Sequence, residues 1–170
     1  MNTSADWTLR LARPRHCPAM ARIAAGVQGF ETLNEAQIAA MVSRRRSLFV
    51  TVGEQPAGFL LARGERRELH IGTLVVAEPF RRCGIAGGLI RAAIIDAGNG
   101  GFDAVTAVVS GSGDHEGGAE GLAGETMSLA TRLGFVQVMD EQAHPRLAEI
   151  VTEKRGAEGS ASPVAIIRFL

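Results

Sequence analysis

The stretch RRCGIA, residues Arg81–Ala86, decides the fold of this chain. It follows the apolar run Leu69–Val76, which has the composition of a strand, and it precedes the apolar, helix-like stretch Gly87–Ala97. A strand that leads through a short basic turn containing glycine into a helix leaves several backbone N–H groups pointing outward where the helix begins. Such a cluster binds phosphate groups. The sequence therefore predicts a phosphorylated ligand at this turn.

The spacing Arg-x-x-Gly-x-Ala excludes two common nucleotide-binding motifs. A Walker loop requires Lys followed by Ser or Thr after its second glycine, and a Rossmann fingerprint requires Gly where Ala86 stands. The segment instead resembles the pyrophosphate loop of the Gcn5-related N-acetyltransferases, whose signature is Gln or Arg, two residues, Gly, one residue, and Gly or Ala. Pro79 and Phe80, just before Arg81, also resemble that family's usual approach to the loop.

Bulk properties narrow the class of protein. The chain has 170 residues, which fits a single domain over 1–170 with a sizeable core. Its net charge is zero, which gives no general attraction to nucleic acid or to an anionic membrane. Cys17 and Cys83 are far apart and form neither a disulfide framework nor a paired metal motif. Without an apolar run of about 20 residues or a secretory pattern near Met1, we expect a cytoplasmic protein.

The periodicity of apolar residues predicts strands and helices in the order β-αα-βββ-α-β-α-β-(α)-β. This order predicts an α/β (α+β) fold with a mixed central sheet of about six to seven strands flanked by helices, and it matches the acyltransferase fold of the resembled family. Predicted strands cover residues 8–13, 47–52, 57–62, 69–76, 102–110, 135–139 and 163–170. Predicted helices cover residues 17–27, 32–42, 85–98, 125–133 and 144–151, with Asn34 or Thr32 as the N-cap of the second.

Two segments are predicted to lack regular structure. Residues 111–124 hold six glycines, three carboxylates and His115, so we expect a mobile excursion that could act as an acidic lid over a cationic acceptor. Residues 154–162 read as a polar turn. The triplet Leu133-Gly134-Phe135 is similar to the family's usual junction between helix and strand, which extends the resemblance over residues 8 to 139.

The resemblance implies acetyl-CoA as the donor, without a metal, and direct transfer of its acetyl group to a primary amine in a ternary complex. It also implies that strands 69–76 and 102–110 splay apart at the cofactor, with an amide near Val75 or Val76 polarising the thioester carbonyl. The residues that would bind the cofactor are Leu74, Val75, Val76, Arg81, Arg82, Cys83, Gly84, Ile85, Ala86, Gly87 and Gly88.

Transfer to an amine requires loss of a proton, because an ammonium group has no lone pair. The histone-acetyltransferase branch has its base eleven residues before the loop signature, and here that position is His70. On a regular strand His70 would share a face with Leu74 and Val76 and would titrate near neutrality. Glu68 is the second candidate base, with Glu31 and Glu78 as further alternatives.

The usual acid of the family is absent. Many relatives have a Tyr four residues before the glycine of the helix-end Gly-Phe pair, but here that position is Ala130 and the chain contains no Tyr. Ser128, His115 or water could substitute, or the thiolate could leave without assistance. The missing Tyr also permits a second interpretation, a CoA-binding sensor or interaction module without catalysis.

The acceptor is not evident from the sequence. The resemblance allows a small-molecule or peptide amine, and it also allows a homodimer. Its variable parts, here residues 29–33, 111–124 and the C-terminal strand, would form the acceptor pocket. Asp114, His115 and Glu116 are adjacent and have no distant partners, which argues against a metal site.

Overall fold

The protein, described from a computed structural model over residues 6–27, 30–44, 46–109, 119–140, 143–157 and 163–170, contains one mixed seven-stranded sheet with the order β1-β2-β3-β4-β5-β7-β6. The strands are β1 (Trp7–Leu11), β2 (Leu48–Val52), β3 (Gln55–Glu65), β4 (Glu68–Val76), β5 (Ala104–Val109), β6 (Val136–Gln137) and β7 (Val164–Phe169). The helices are α1 (Cys17–Ala25), α2 (Glu35–Val42), α3 (Ile85–Asn99), α4 (Ala119–Arg132) and α5 (Pro145–Ala157). The predicted mixed sheet flanked by helices is confirmed.

Local sequence explains how the second helix begins. Asn34 is the N-cap of α2, and its side chain accepts a hydrogen bond from the Gln37 backbone N–H at 3.0 Å. The Gln37 side chain in turn accepts from the Asn34 N–H at 2.9 Å, which completes a capping box. Of the two predicted N-caps, Asn34 is therefore the correct one.

Three predicted boundaries are wrong. Strand β3 continues to Glu65 because residues 63–65 still pair with β4. Helix α4 begins at Ala119, so the second part of the predicted excursion is helical, while residues 110–118 lie outside the described residues. Helix α5 continues to Ala157, so Lys154 lies on a helix and not in a turn.

The two faces of the sheet carry different helices. On one, the α3 face, Leu69 and Ile71 of β4 belong to a buried cluster that also contains residues of α3 and α4. On the other, the α1 face, Val75 of β4 belongs to a cluster with α1 and α2. Helix α5 covers the same α1 face farther along the sheet, where its Leu147 and Val151 pack on β5 and β7.

Gly88 allows α3 to lie against the first strand. A Cβ at this position would come within 2.8 Å of Cζ2 of Trp7 and closer still to Cη2. Gly88→Ala is therefore expected to lower the free energy of unfolding by about 1–3 kcal/mol and to shift the fluorescence of Trp7, the only tryptophan. Urea unfolding followed by fluorescence measures both effects.

Gly98 provides the matched control in the same helix, because nothing lies within 4 Å of a Cβ built there. Gly98→Ala should raise stability by about 0.5–1 kcal/mol, since alanine favours the helix. Equal effects of the two substitutions would contradict the packing role of Gly88.

Candidate cofactor and acceptor site

Strands β4 and β5 begin as a paired parallel ladder and then separate. Residues Glu68–Ile71 pair with Ala104–Ala107, and the pairing stops there. Both strands continue beyond that point, β4 to Val76 and β5 to Val109. A gap therefore opens between their carboxyl-terminal ends, as the resemblance predicted.

A β-bulge at Gly72 precedes the gap. Leu61 of β3 pairs with Thr73 and the next residue, Ala62, pairs with Ile71, so Gly72 is an extra residue in β4. An extra residue reverses the alternation of side chains along the rest of the strand. Before the bulge the odd-numbered residues of β4 belong to the α3-face cluster, and after it the even-numbered Leu74 and Val76 pack against that cluster.

The predicted common face of His70, Leu74 and Val76 is therefore wrong. Because of the bulge, His70 lies on the α1 face, whereas Leu74 and Val76 pack on the α3 face. The prediction failed because it assumed an unbroken period of two along the strand.

The backbone of β4 presents two residues to the gap. The Ala77 N–H donates to the Ala57 carbonyl of β3 at 2.8 Å. Since backbone groups in an antiparallel ladder alternate in direction, Val75 also points toward β3, where it pairs with Phe59. The N–H groups of Leu74 and Val76 then point to the gap, so Val75 leaves the predicted set of amide donors.

The loop before α3 has a backbone that exposes amides. Arg82 and Gly84 have φ values of 61° and 79°, and Gly84 is the N-cap residue of α3. A Cβ at Gly84 would meet nothing within 4 Å, so open space adjoins the loop. The first N–H groups of a helix have no partner within it, and here they belong to Ile85, Ala86 and Gly87. These amides and the helix dipole favour an anion at this point.

Gly88 has a different role from the one predicted. Its N–H donates to the Gly84 carbonyl at 2.9 Å, and its small size accommodates Trp7. Its amide is therefore not available to a phosphate. Gly87 also faces protein, since a Cβ there would contact Leu129 of α4 at 3.6 Å.

The side chains of the loop are less committed to the site than its backbone. The Arg82 guanidinium forms an ion pair with Glu125 of α4 at 2.8 Å, with 85% and 58% of the two side chains exposed. Arg81 is half-buried, and the half-buried Cys83 thiol donates to the Arg81 carbonyl at 3.6 Å. An exposed pair of this kind contributes about 0–1 kcal/mol, so a ligand can compete for Arg82.

His70 lies directly below the gap, but in a buried environment. It is 9% exposed, and its Nδ1 is 3.1 Å from Oγ1 of Thr106 on β5. Burial, and secondarily the charge of Lys154, lowers the pKa of His70 to about 4. The predicted titration near neutrality is therefore wrong, and the imidazole is neutral at physiological pH.

Glu68 lies away from the gap. It begins β4 and pairs with Ala104, at the end of the ladder opposite the separation. Its carboxylate is 3.1 Å from Nδ1 of His144, just before α5. The structure therefore gives Glu68 a role in holding α5 to the sheet and does not bring it to the reacting groups.

The remaining predicted candidates are dispersed. Glu31, Glu78 and Ser128 are exposed, and Ala130, at the position of the usual Tyr, is 3% exposed in the core. His115 lies outside the described residues.

Sequence reasoning missed two features. Thr106 reads as an ordinary β-branched strand residue, and only the pairing of His70 with Thr106 reveals it as the partner of the imidazole. The bulge at Gly72 had one available signal, a glycine inside a strand pattern.

A strand pair that separates beside a glycine-containing helix start defines the class of acyl-CoA-dependent acetyltransferases. The model of the Acetyltransferase (GNAT) family matches residues 19–115, more than half of the chain. The chain belongs to this family. No curated protein sequence matches it.

Solved structures of the same fold cover nearly the whole chain. Ard1 from Thermoplasma volcanium is 20% identical with a TM-score of 0.70, over 96% of this chain and 97% of that one. The ribosomal-protein-S18-alanine N-acetyltransferase from Escherichia coli is 14% identical with a TM-score of 0.72, over 96% and 94%. The PaiA N-acetyltransferase from Thermoplasma acidophilum, in complex with coenzyme A, is 9% identical with a TM-score of 0.70, over 97% and 99%.

Two other classes of site were considered. Among the described ranges, no three His, Cys, Asp or Glu side chains are grouped so as to hold a metal ion. Within the same ranges no helix is both long and apolar enough to cross a bilayer.

The low pKa of His70 predicts a stability that falls in acid. Below about pH 6.5 the unfolded chain binds a proton at this histidine, while the folded protein excludes it until about pH 4. The free energy of unfolding should therefore fall by up to about 3 kcal/mol between these values because of His70. Urea unfolding as a function of pH measures this, and His70→Gln should remove that part of the dependence. An identical pH dependence in both proteins would contradict the assignment.

Proposed function

We propose that this protein is an N-acetyltransferase that uses acetyl-CoA to acetylate a primary amine of a small molecule or peptide. The observation that carries the proposal is the gap between β4 and β5, which opens next to the exposed amides at the start of α3. Similarity to an N-acetyltransferase structure with bound coenzyme A supports the choice of cofactor.

The residues present fit coenzyme A. The free amides of Ile85, Ala86 and Gly87 and the open space beside Gly84 form a cradle that suits a pyrophosphate. Arg82 can exchange its exposed partner for a phosphate oxygen. Acetyl-CoA, when bound, supplies an activated acetyl thioester.

The backbone of β4 stabilises charge in the proposed reaction. The N–H groups of Leu74 and Val76 point to the gap and would donate to a carbonyl oxygen there. Leu74 and Val76 side chains pack against the α3-face cluster, which fixes the direction of this backbone.

His70 is a poor base for an ammonium group because of its low pKa. In this proposal it stays neutral and, with Thr106, holds the end of the paired ladder at the gap. The amine then reaches the site in its neutral form by losing a proton to solvent.

A CoA-binding module without catalysis is the second candidate function. Alanine at position 130 and the absence of Tyr from the chain favour it, because the family's usual proton donor is missing. Release of free CoA that depends on an amine would exclude this candidate. Binding of CoA without turnover across a broad amine panel would establish it.

Binding of CoA and acetyl-CoA should raise the melting temperature by about 5–10 °C at a hundredfold excess over Kd, because both bind only the folded chain. Gly84→Val should abolish the shift, since a β-branched residue at positive φ distorts the loop and fills the open space. Differential scanning fluorimetry with each ligand measures it.

Gly53→Val is the control, because Gly53 also has a positive φ of 57° with nothing within 4 Å of a Cβ. It lies in the β2–β3 turn, so it should lower the melting temperature without altering the CoA shift. No shift in the wild type at millimolar CoA would contradict the proposed function.

A further inference from the structure

The α1 face contains a trough beside the gap. One helical layer, α1 and α2, packs on β2, β3 and β4, and a separate cluster joins α5 to β5 and β7. Between the two layers Gly72 is exposed and Thr73 is half-buried. A Cβ built on Gly72 meets only the Leu61 carbonyl oxygen, at 3.9 Å. We call the space above Gly72 and Thr73 the acceptor trough.

The acceptor trough is the accessible approach to the gap. The opposite face is filled, since Leu74 and Val76 pack there against the cluster formed with α3 and α4. An amine that attacks a thioester held in the gap would therefore come over Gly72.

Helix α5 forms one wall of the trough. Its beginning is fixed near Glu68 by His144 and near Glu65 by Arg146, whose Nε is 3.3 Å from the carboxylate. Farther along, Val151 packs in the cluster that contains Val108, one residue beyond the last paired row of β5. The helix thus runs from the paired end of the ladder toward the gap.

This path brings Lys154 to the acceptor trough. Lys154 continues the buried stripe of Leu147 and Val151 at helical spacing, and it is half-buried between the exposed Glu153 and Arg155. It lies ten residues after His144, which is about 15 Å along a helix and about four to five residues along a strand. Counted from Glu68, that distance reaches Gly72 and Thr73. The effect of its charge on the pKa of His70 agrees with this position.

We propose that Lys154 binds a carboxylate of the acceptor, and that the acceptor is a free α-amino acid. This inference rests on the proposed acetyltransferase function. The described floor residues Gly72 and Thr73 carry no charge and His70 is neutral, so Lys154 gives this part of the trough a positive potential. A carboxylate close to the amine would neutralise it, whereas an acceptor carrying only positive charge would be repelled.

The chemistry of the step is balanced without a further reactant. The neutral amine nitrogen forms a bond to the acetyl carbon, and the carbon–sulfur bond of the thioester breaks. The proton lost by nitrogen leaves with the CoA thiol. Lys154 takes no part in these bonds and acts on binding of the acceptor.

The test compares standard L-amino acids with their carboxamides as acceptors at saturating acetyl-CoA. Each pair has the same side chain and differs in the charge of the carboxyl group. Lys154→Met should raise KM for the acids by about ten- to a hundredfold, as expected for loss of a charge-assisted hydrogen bond, and leave KM for the amides unchanged. Comparing variant with wild type for each acceptor cancels the different amine pKa values of acids and amides.

Arg155→Met is the matched control, since Arg155 is the next residue of α5 and is exposed. It should leave both KM values unchanged. A second readout does not depend on turnover: Lys154→Met should raise the pKa of His70 measured by NMR. An unchanged pKa would show that Lys154 is not at the trough and would overturn the inference.

The outcomes separate the two proposals. Acetylation of amides or simple amines with no effect of Lys154→Met on the acids overturns the amino-acid acceptor and leaves the acetyltransferase intact. CoA binding with no turnover on any amine, or no CoA binding, overturns the proposed function and the inference with it.

Discussion

The site depends on one extra residue in β4, the bulge at Gly72. Up to Ile71 the strand pairs with β5, and beyond the bulge it continues alone on that side. A parallel ladder normally satisfies the N–H and C=O groups of both strands, so ending it leaves polar backbone exposed. The exposed amides of Leu74 and Val76 require another partner, and this need makes the gap a binding site.

The same bulge divides the work between the two faces of the sheet. On the α3 face, Leu74 and Val76 pack against the helix that begins at the phosphate-binding loop, so donor site and loop share one rigid support. On the α1 face, the strand leaves Gly72 and Thr73 uncovered between two helical layers. Donor and acceptor can thus approach the gap from different directions. Loop amides held by a helix provide a fixed binding surface, whereas the exposed Arg82–Glu125 pair adds little energy of its own.

The sequence was sufficient wherever the signal was local. The Asn34 cap is encoded within four residues, and the Arg81–Ala86 turn is recognisable from its spacing. The face of His70 was not predictable, because it depends on which β3 residues oppose Gly72.

Tertiary packing also decided what local signals could not. Lys154 stands in a polar segment, and it is helical because Leu147 and Val151 bury one side of α5. Its approach to the gap therefore becomes visible only in the folded chain. The partner of Glu68 shows the same limit, since His144 is 76 residues away in sequence.

Hydrogen exchange of the β4 amides, resolved by NMR with and without CoA, tests the central claim most directly. The account predicts fast exchange at Leu74 and Val76 in the free protein and strong protection when CoA is bound, because these N–H groups point to the gap. Val75, bonded toward β3, should exchange slowly in both states. Protection of Leu74 and Val76 already complete without ligand, or no change at either residue when CoA is bound, would contradict the account.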